Sequence, residues 1–157
     1  MTYRGKFRPK QPDKYLGDVN KIVYRSLWER NAMRWCDENP NIERWNSEEV
    51  IVPYVCNTDG RRHRYFIDLF IRLKNGQTYL VEIKPKSQTK PPKQPARKTR
   101  VYLESIKTYV KNKSKWEAAA EFAERNNSKF VIWTEDTLNS MGIKTISGYK
   151  KPKKRDK

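Results

Sequence analysis

Apolar residues recur along this chain with two different periods. Between about Ser26 and Glu38, Trp28, Ala32, Trp35 and Cys36 fall at i, i+4, i+7 and i+8, which is helical spacing. Asn39-Pro40 then stops the helix. Glu49–Cys56 reads as a strand, and Pro53, which has no ladder donor, places it at an edge or a bulge. Asn57-Thr58-Asp59-Gly60 is a turn signal. Arg64–Ile71 and Tyr79–Lys84 read as two further strands joined through Lys74-Asn75-Gly76. Beyond a proline-rich stretch, the spacing predicts a helix from about Lys98 to Val110. Ser114-Lys115-Trp116-Glu117 reads as a capping box that opens a second helix, running to about Arg125. Lys129–Thr134 is a short buried strand, and Thr134 caps a last helix through Met141. This order of helix, three-strand meander, helices, strand and helix predicts an α/β fold with helices packed around a mixed sheet.

The second strand contains an acid, Asp68, among Phe66, Leu69 and Phe70. A carboxylate there is costly to bury unless something pairs with it. The third strand carries Glu82 and, two residues on, Lys84. Side chains two apart on a strand share a face, so Glu82 and Lys84 point the same way. Whether Asp68 joins them depends on the turn. A two-residue Asn75-Gly76 loop pairs Lys74 with Gln77 and sends Asp68 to the other side. A three-residue Lys74-Asn75-Gly76 loop pairs Leu73 with Gln77 and sets Asp68 opposite Glu82. The residues permit both turns; a shared site requires the second, with Gly76 at positive φ.

Two carboxylates and an ammonium on one face suit a hard divalent cation and a phosphate. Mg²⁺ or Mn²⁺ would relieve the repulsion between Asp68 and Glu82, with the Ile83 carbonyl as a further oxygen ligand. Lys84 would orient a water or hold a phosphate oxygen. The competing reading makes Glu82 and Lys84 a solvated ion pair and gives Asp68 to Arg64 or Arg72. Glu29 has two readings as well. With Ser26 it forms a capping box, yet it shares a helix stripe with Ala32, Met33 and Cys36, which aims it toward the core.

The overall charge sharpens this picture. Lys and Arg number 35 against 18 acids, a formal net charge of +17 in 157 residues. That excess calls for a polyanionic partner, and nucleic acid leads. No basic amphipathic helix with a wide apolar face points to a membrane. Residues 85–100 hold four prolines together with Lys86, Lys90, Lys93, Arg97, Lys98 and Arg100, and no acid. These six side chains are the candidate nucleic-acid contacts, gripping phosphates without reading sequence. Residues 1–20 read as a basic arm outside the core, 21–147 as the folded domain and 148–157 as a basic tail. Cys36, Cys56 and the single histidine, His63, supply a zinc mechanism poorly, and the thiols read as reduced core residues of a cytoplasmic protein. Trp45, Tyr102 and Tyr109 are read as core residues rather than base-stacking ones.

Taken in order, these motifs resemble the PD-(D/E)xK nucleases, in the branch that contains the TnsA-like endonuclease N-terminal domain. Tyr24-Arg25-Ser26-Leu27-Trp28-Glu29 is similar to that branch's helix-borne glutamate motif, Tyr65-Phe66-Ile67-Asp68 to its second motif and Val81-Glu82-Ile83-Lys84-Pro85 to its third. Lys115–Ala119 and Trp133–Asp136 are similar to the helix and strand that follow. Ile67 stands where the signature has proline. The resemblance implies a restriction-endonuclease-like core, a divalent metal, DNA as substrate, and Glu29, Asp68, Glu82 and Lys84 as catalytic residues. In size and arrangement the chain also resembles the head completion family of T4-like bacteriophages. That implies work on packaged DNA at the portal end before tail attachment, in the host cytoplasm or the head–neck region of the virion, with portal and neck proteins as candidate partners. A DNA-end-binding neck protein without cleavage is the alternative. The chain ends soon after Ile146 without a further domain, so a role in transposition is not expected.

Overall fold

A computed structural model of the chain describes residues 4–145. The basic tail at 148–157 lies outside them. Two short strands, β1 (Gly5–Lys6) and β2 (Val23–Tyr24), pair with each other and lead into α1 (Leu27–Glu38). Then come β3 (Ile42–Asn46), β4 (Ile51–Val55), β5 (Arg62–Phe66), β6 (Leu69–Leu73), β7 (Thr78–Ile83), the long α2 (Arg100–Arg125), β8 (Ser128–Trp133) and α3 (Glu135–Ser140). The central sheet has the order β3-β6-β7-β8. It is mixed, as expected: β3, β6 and β7 run antiparallel, and β8 returns parallel to β7 after the α2 crossover.

Alternation along the sheet builds two cores. Leu69, Ile71 and Val81 face α1, where they join Ala32, Met33 and Cys36 from the predicted helix stripe. Leu80, on the other face, packs with Trp116, Ala119 and Ala123 of α2 and with Val52, Tyr54 and Tyr65. Those last three come from β4 and β5, which form a separate two-stranded ribbon over α2.

The structure corrects the meander. Residues 64–71 are two strands, β5 and β6, that belong to different sheets. Ile67 and Leu69 have the same parity and would share a face in a flat strand. Instead they are buried in opposite cores, so the chain rotates between them. Ile67 is held at the bend by Val50 O (3.0 Å from its N–H) and Glu48 N–H (3.0 Å to its carbonyl). The place beside β6 goes to β3, which the apolar pattern missed because Glu43 and Arg44 interrupt it.

Two other expectations change. α2 is continuous through Ser114, which opens no second helix. Its hydroxyl donates back to Val110 O (3.1 Å) and accepts from Asn57 N–H (3.2 Å), so it serves the ribbon from mid-helix. The first twenty residues, as far as they are described, are not an arm outside the core. Tyr15 is buried with its ring edge-to-face on Trp45 at 4.8 Å. The buried Asp37 carboxylate accepts the Lys10 and Gln11 N–H groups at 2.8 and 3.0 Å. The apolar residues of this segment are too sparse to show a period, so only long-range bonds reveal its place.

Candidate active site

The β6–β7 turn sets the site. Leu73 N–H donates to Gln77 O (2.8 Å), Gly76 N–H donates to Leu73 O (2.9 Å), and Gly76 has φ +90°. This is the three-residue loop. The register runs Arg72–Thr78, Ile71–Tyr79, Phe70–Leu80 and Leu69–Val81, so the next pair outward is Asp68 and Glu82. In the continued register Ile83 would face Ile67, but the chain has bent away there. The Asp68 carboxylate takes the Ile83 N–H instead, at 2.8 Å to Oδ2. A strand residue that bonds one neighbour sends its N–H and carbonyl to the same side, so the Ile83 carbonyl also faces Asp68.

The continued register sets Asp68 and Glu82 across from each other, close enough for the charge of each to act on the other. Two apposed carboxylates repel, and a proton or a cation relieves that repulsion. Burial, then the Glu82 charge, pushes the Asp68 carboxyl well above the usual carboxylate range. Glu82 is buried; its Oε2 accepts a short bond from the Tyr65 hydroxyl, and its Oε1 lies 3.9 Å from Lys84 Nζ. The alternative pairing of Asp68 is not found. Arg72 Nη2 donates to Glu43 (3.0 Å), and the Arg64 guanidinium lies over the Phe66 ring.

Glu29 combines both of its readings. Ser26 caps α1 by accepting the Glu29 N–H at 3.1 Å, and Glu29 Oε2 accepts the Arg25 N–H at 2.7 Å. Burial, followed by the charges of Glu48 and Glu82, raises its carboxyl above the usual range, against the pull of Arg25. It also acts electrostatically on Asp68. It stands off from the pair, however. Among the described residues, the trio of His, Cys, Asp or Glu whose ligand atoms lie within 4.8 Å of one another is Cys56, Asp59 and His63. That trio sits at the β4–β5 turn and is satisfied within it. His63 Nε2 is 2.8 Å from Asp59 Oδ2, Asp59 Oδ1 takes the Arg61 N–H at 2.8 Å, and Cys56 Sγ meets Thr58 Oγ1 at 2.9 Å.

Two side chains near the pair were not foreseen in these roles. Tyr65 is three residues from Asp68, so flat-strand parity puts them on opposite faces; the bend at Ile67 brings both to Glu82. Lys115, from α2, lies over the Tyr65 ring at 5.4 Å. Burial, then Lys111, lowers its pKa, while Glu82 and Asp68 pull the other way. The motif Lys115-Trp116 drew attention to this stretch, but only the helix's seating on the sheet aims Lys115 at the acids.

The basic loop divides. Lys86 is engaged by α3: its N–H donates to Glu135 (2.6 Å) and its ammonium to Asp136 (3.0 Å). Lys90, Lys93, Arg97 and Lys98 are exposed, and Arg100 is the first residue of α2 rather than part of the loop. Trp45 is fully buried. No helix of the described residues is long and apolar enough to cross a membrane.

The donor set fits a hard divalent cation. Asp68 and Glu82 offer oxygen only, and the repulsion between them marks a position where positive charge is wanted. Neither histidine nor cysteine borders the pair.

Residues 39–135 match the family described as the TnsA-like endonuclease N terminal. The head completion nuclease of Enterobacteria phage T4 is 44% identical over 148 residues, covering 92% of this chain and 99% of that protein. No solved structure matches the chain significantly.

Proposed function

The chain belongs to the TnsA-like endonuclease family and is related to the phage T4 head completion nuclease, and from that premise we propose that it is a Mg²⁺- or Mn²⁺-dependent DNA endonuclease acting in phage head completion. The observation that carries the chemistry is the Asp68–Glu82 apposition, with Lys84, one residue beyond the end of β7, holding its ammonium 3.9 Å from Glu82. Asp68, Glu82 and the Ile83 carbonyl would hold the cation, with Glu29 contributing from the first turn of α1. When bound, the cation supplies acidification of a water and stabilisation of charge on the phosphate.

The chain's own groups do the rest. The Ile83 N–H orients Asp68, and the Tyr65 hydroxyl orients Glu82, so each carboxylate presents its other oxygen in a set direction. Lys84 carries a compact positive charge beside the acids, suited to a non-bridging phosphate oxygen or to aligning the attacking water. Lys90, Lys93, Arg97, Lys98 and Arg100 follow Lys84 along the chain and would hold the flanking phosphates. Lys86 contributes only when it leaves Asp136. Among the described residues no helix carries a recognition-helix motif, in keeping with cutting that does not depend on base sequence.

The proposed setting is packaged DNA at the portal end of a filled head, before tail attachment, with portal or neck proteins as partners. The chemistry is tested by incubating duplex and branched DNA with Mg²⁺, Mn²⁺ or EDTA. Cleavage requires the metal and disappears in Asp68→Ala and Lys84→Ala, while DNA binding persists. Undiminished cutting by both variants overturns the site. Binding without cutting by the unaltered protein, under every metal condition, makes it a DNA-end-binding protein.

A further inference from the structure

The β4–β5 ribbon has one buried and one open face. Val52, Tyr54 and Tyr65 point inward against α2. The alternate positions are all exposed, and the register pairs them as Ile51 with Phe66, Pro53 with Arg64 and Val55 with Arg62. Ile51, Val55 and Phe66 are 40%, 53% and 42% accessible. An open ribbon face ordinarily carries polar side chains, since exposed apolar ones invite aggregation. Here Ile51, Pro53 and Val55 run along β4 beside Phe66, Arg64 and Arg62 of β5, and none of these six is an acid, while Glu121 of α2 borders the Val55–Arg62 end. The Arg64 guanidinium lies over the Phe66 ring at 5.6 Å, which presents a cation and a π-surface together.

The charge selects the occupant. A second copy of the chain, packed face to face, would bring Arg62 and Arg64 near their like in a molecule of net charge +17. Duplex DNA satisfies the arginines but shows mainly phosphate and sugar to such a surface, leaving the apolar stripe in water. Unpaired DNA offers both partners: phosphates for Arg62 and Arg64, and base faces for Phe66, Ile51 and Val55. The ribbon also leads to the acids. Phe66 lies two residues before Asp68, and Tyr65, its inward-facing neighbour, bonds Glu82.

We propose that the outer face of the β4–β5 ribbon is a platform for single-stranded DNA, so that the preferred substrate carries an unpaired strand beside a duplex. This rests on the nuclease reading and narrows its substrate class.

The test separates the two. Binding is measured by fluorescence anisotropy on the full chain carrying Asp68→Asn, which does not need to cut. The probes are a blunt duplex and the same duplex bearing a single-stranded thymidine tail. The tailed DNA is expected to bind roughly tenfold more tightly, the order of one stacked base. Adding Phe66→Ser and Ile51→Thr is expected to bring the two affinities within about twofold of each other, whereas Phe66→Trp keeps the preference. Circular-dichroism melting verifies folding, and Val55→Thr with Arg64→Gln carries the same test should Phe66→Ser not fold. Equal affinity for both DNAs in the parent variant overturns the platform, as does a preference that survives the folded substitutions. A change in sedimentation-defined oligomeric state with the DNA preference intact makes the face a protein contact and also overturns it. Failure of the unaltered protein to cut either DNA with Mg²⁺ or Mn²⁺ would instead remove the nuclease reading and leave the measured preference standing.

Discussion

The Asp68 carboxylate accepts the Ile83 N–H at 2.8 Å, a bond that a continued β-ladder would have directed to Ile67. Ile67 gives its carbonyl to Glu48 and its N–H to Val50 instead. The interruption of one strand thus creates the vacancy into which an acid turns, directly across from Glu82. Four expectations follow from this geometry and its supports.

Replacing Asp68 with Asn removes one of two apposed carboxyls. The metal-free protein is expected to gain about 1 kcal/mol of stability, as at other sites where function opposes packing. Cleavage is lost. Mn²⁺ raises the melting temperature of the unaltered protein, by about 2.7 kcal/mol of stabilisation at a hundredfold excess over Kd, and does so little in the variant. Thermal melts in EDTA and in Mn²⁺ check this; an equal Mn²⁺ shift in both proteins places the cation elsewhere.

Gly76 has φ +90°, and a Cβ built there meets no atom within 4 Å. The cost of Gly76→Val is therefore one of backbone conformation alone, roughly 1–2 kcal/mol by urea denaturation. Deleting Asn75 is a harsher change. A two-residue loop slips the register by one and turns Glu82 away from Asp68. Such a protein is expected not to cut DNA even when its circular dichroism is native.

Tyr65→Phe removes the hydroxyl that donates to Glu82 Oε2. Supports of this kind are worth about 10–100-fold in metal affinity or activity. The loss is expected to appear as a higher Mg²⁺ concentration for half-maximal cleavage, with KM for DNA little changed. A metal response identical to that of the unaltered protein would show that Glu82 orients itself without the tyrosine.

Asp37→Ala leaves the Lys10 and Gln11 N–H groups without their acceptor. Hydrogen bonds to a buried charge are worth about 1.5–3 kcal/mol. Stability is expected to fall by about that much, and trypsin to cut sooner after Lys10 and Lys14. Unchanged proteolysis would mean that Tyr15, packed on Trp45, holds the segment without Asp37.

Much of this was legible in the chain. Helix α1 showed in the spacing of Trp28, Ala32, Trp35 and Cys36, and the mixed sheet in the strand–helix–strand order. Asp68, Glu82 and Lys84 stood out because charge in an apolar run is costly. The turn at 74–76 narrowed the register to two possibilities, and Gly76 allowed the one that joins the acids. These are local properties: period, propensity and parity act over a few residues, so a linear reading can find them.

What the linear reading lacked was non-local. Parity assumes a flat strand, and nothing around Ile67 announces that the chain rotates there; the bend exists because Val50 and Glu48 arrive from another part of the sequence to hold it. Tyr65 reaches Glu82 only through that rotation, and Lys115 only because α2 passes unbroken over the sheet. Ser114 carries the local mark of a helix start, yet Asn57 of the ribbon gives its hydroxyl a different task. Composition and period thus named the groups capable of chemistry, while packing between distant segments chose which of them meet.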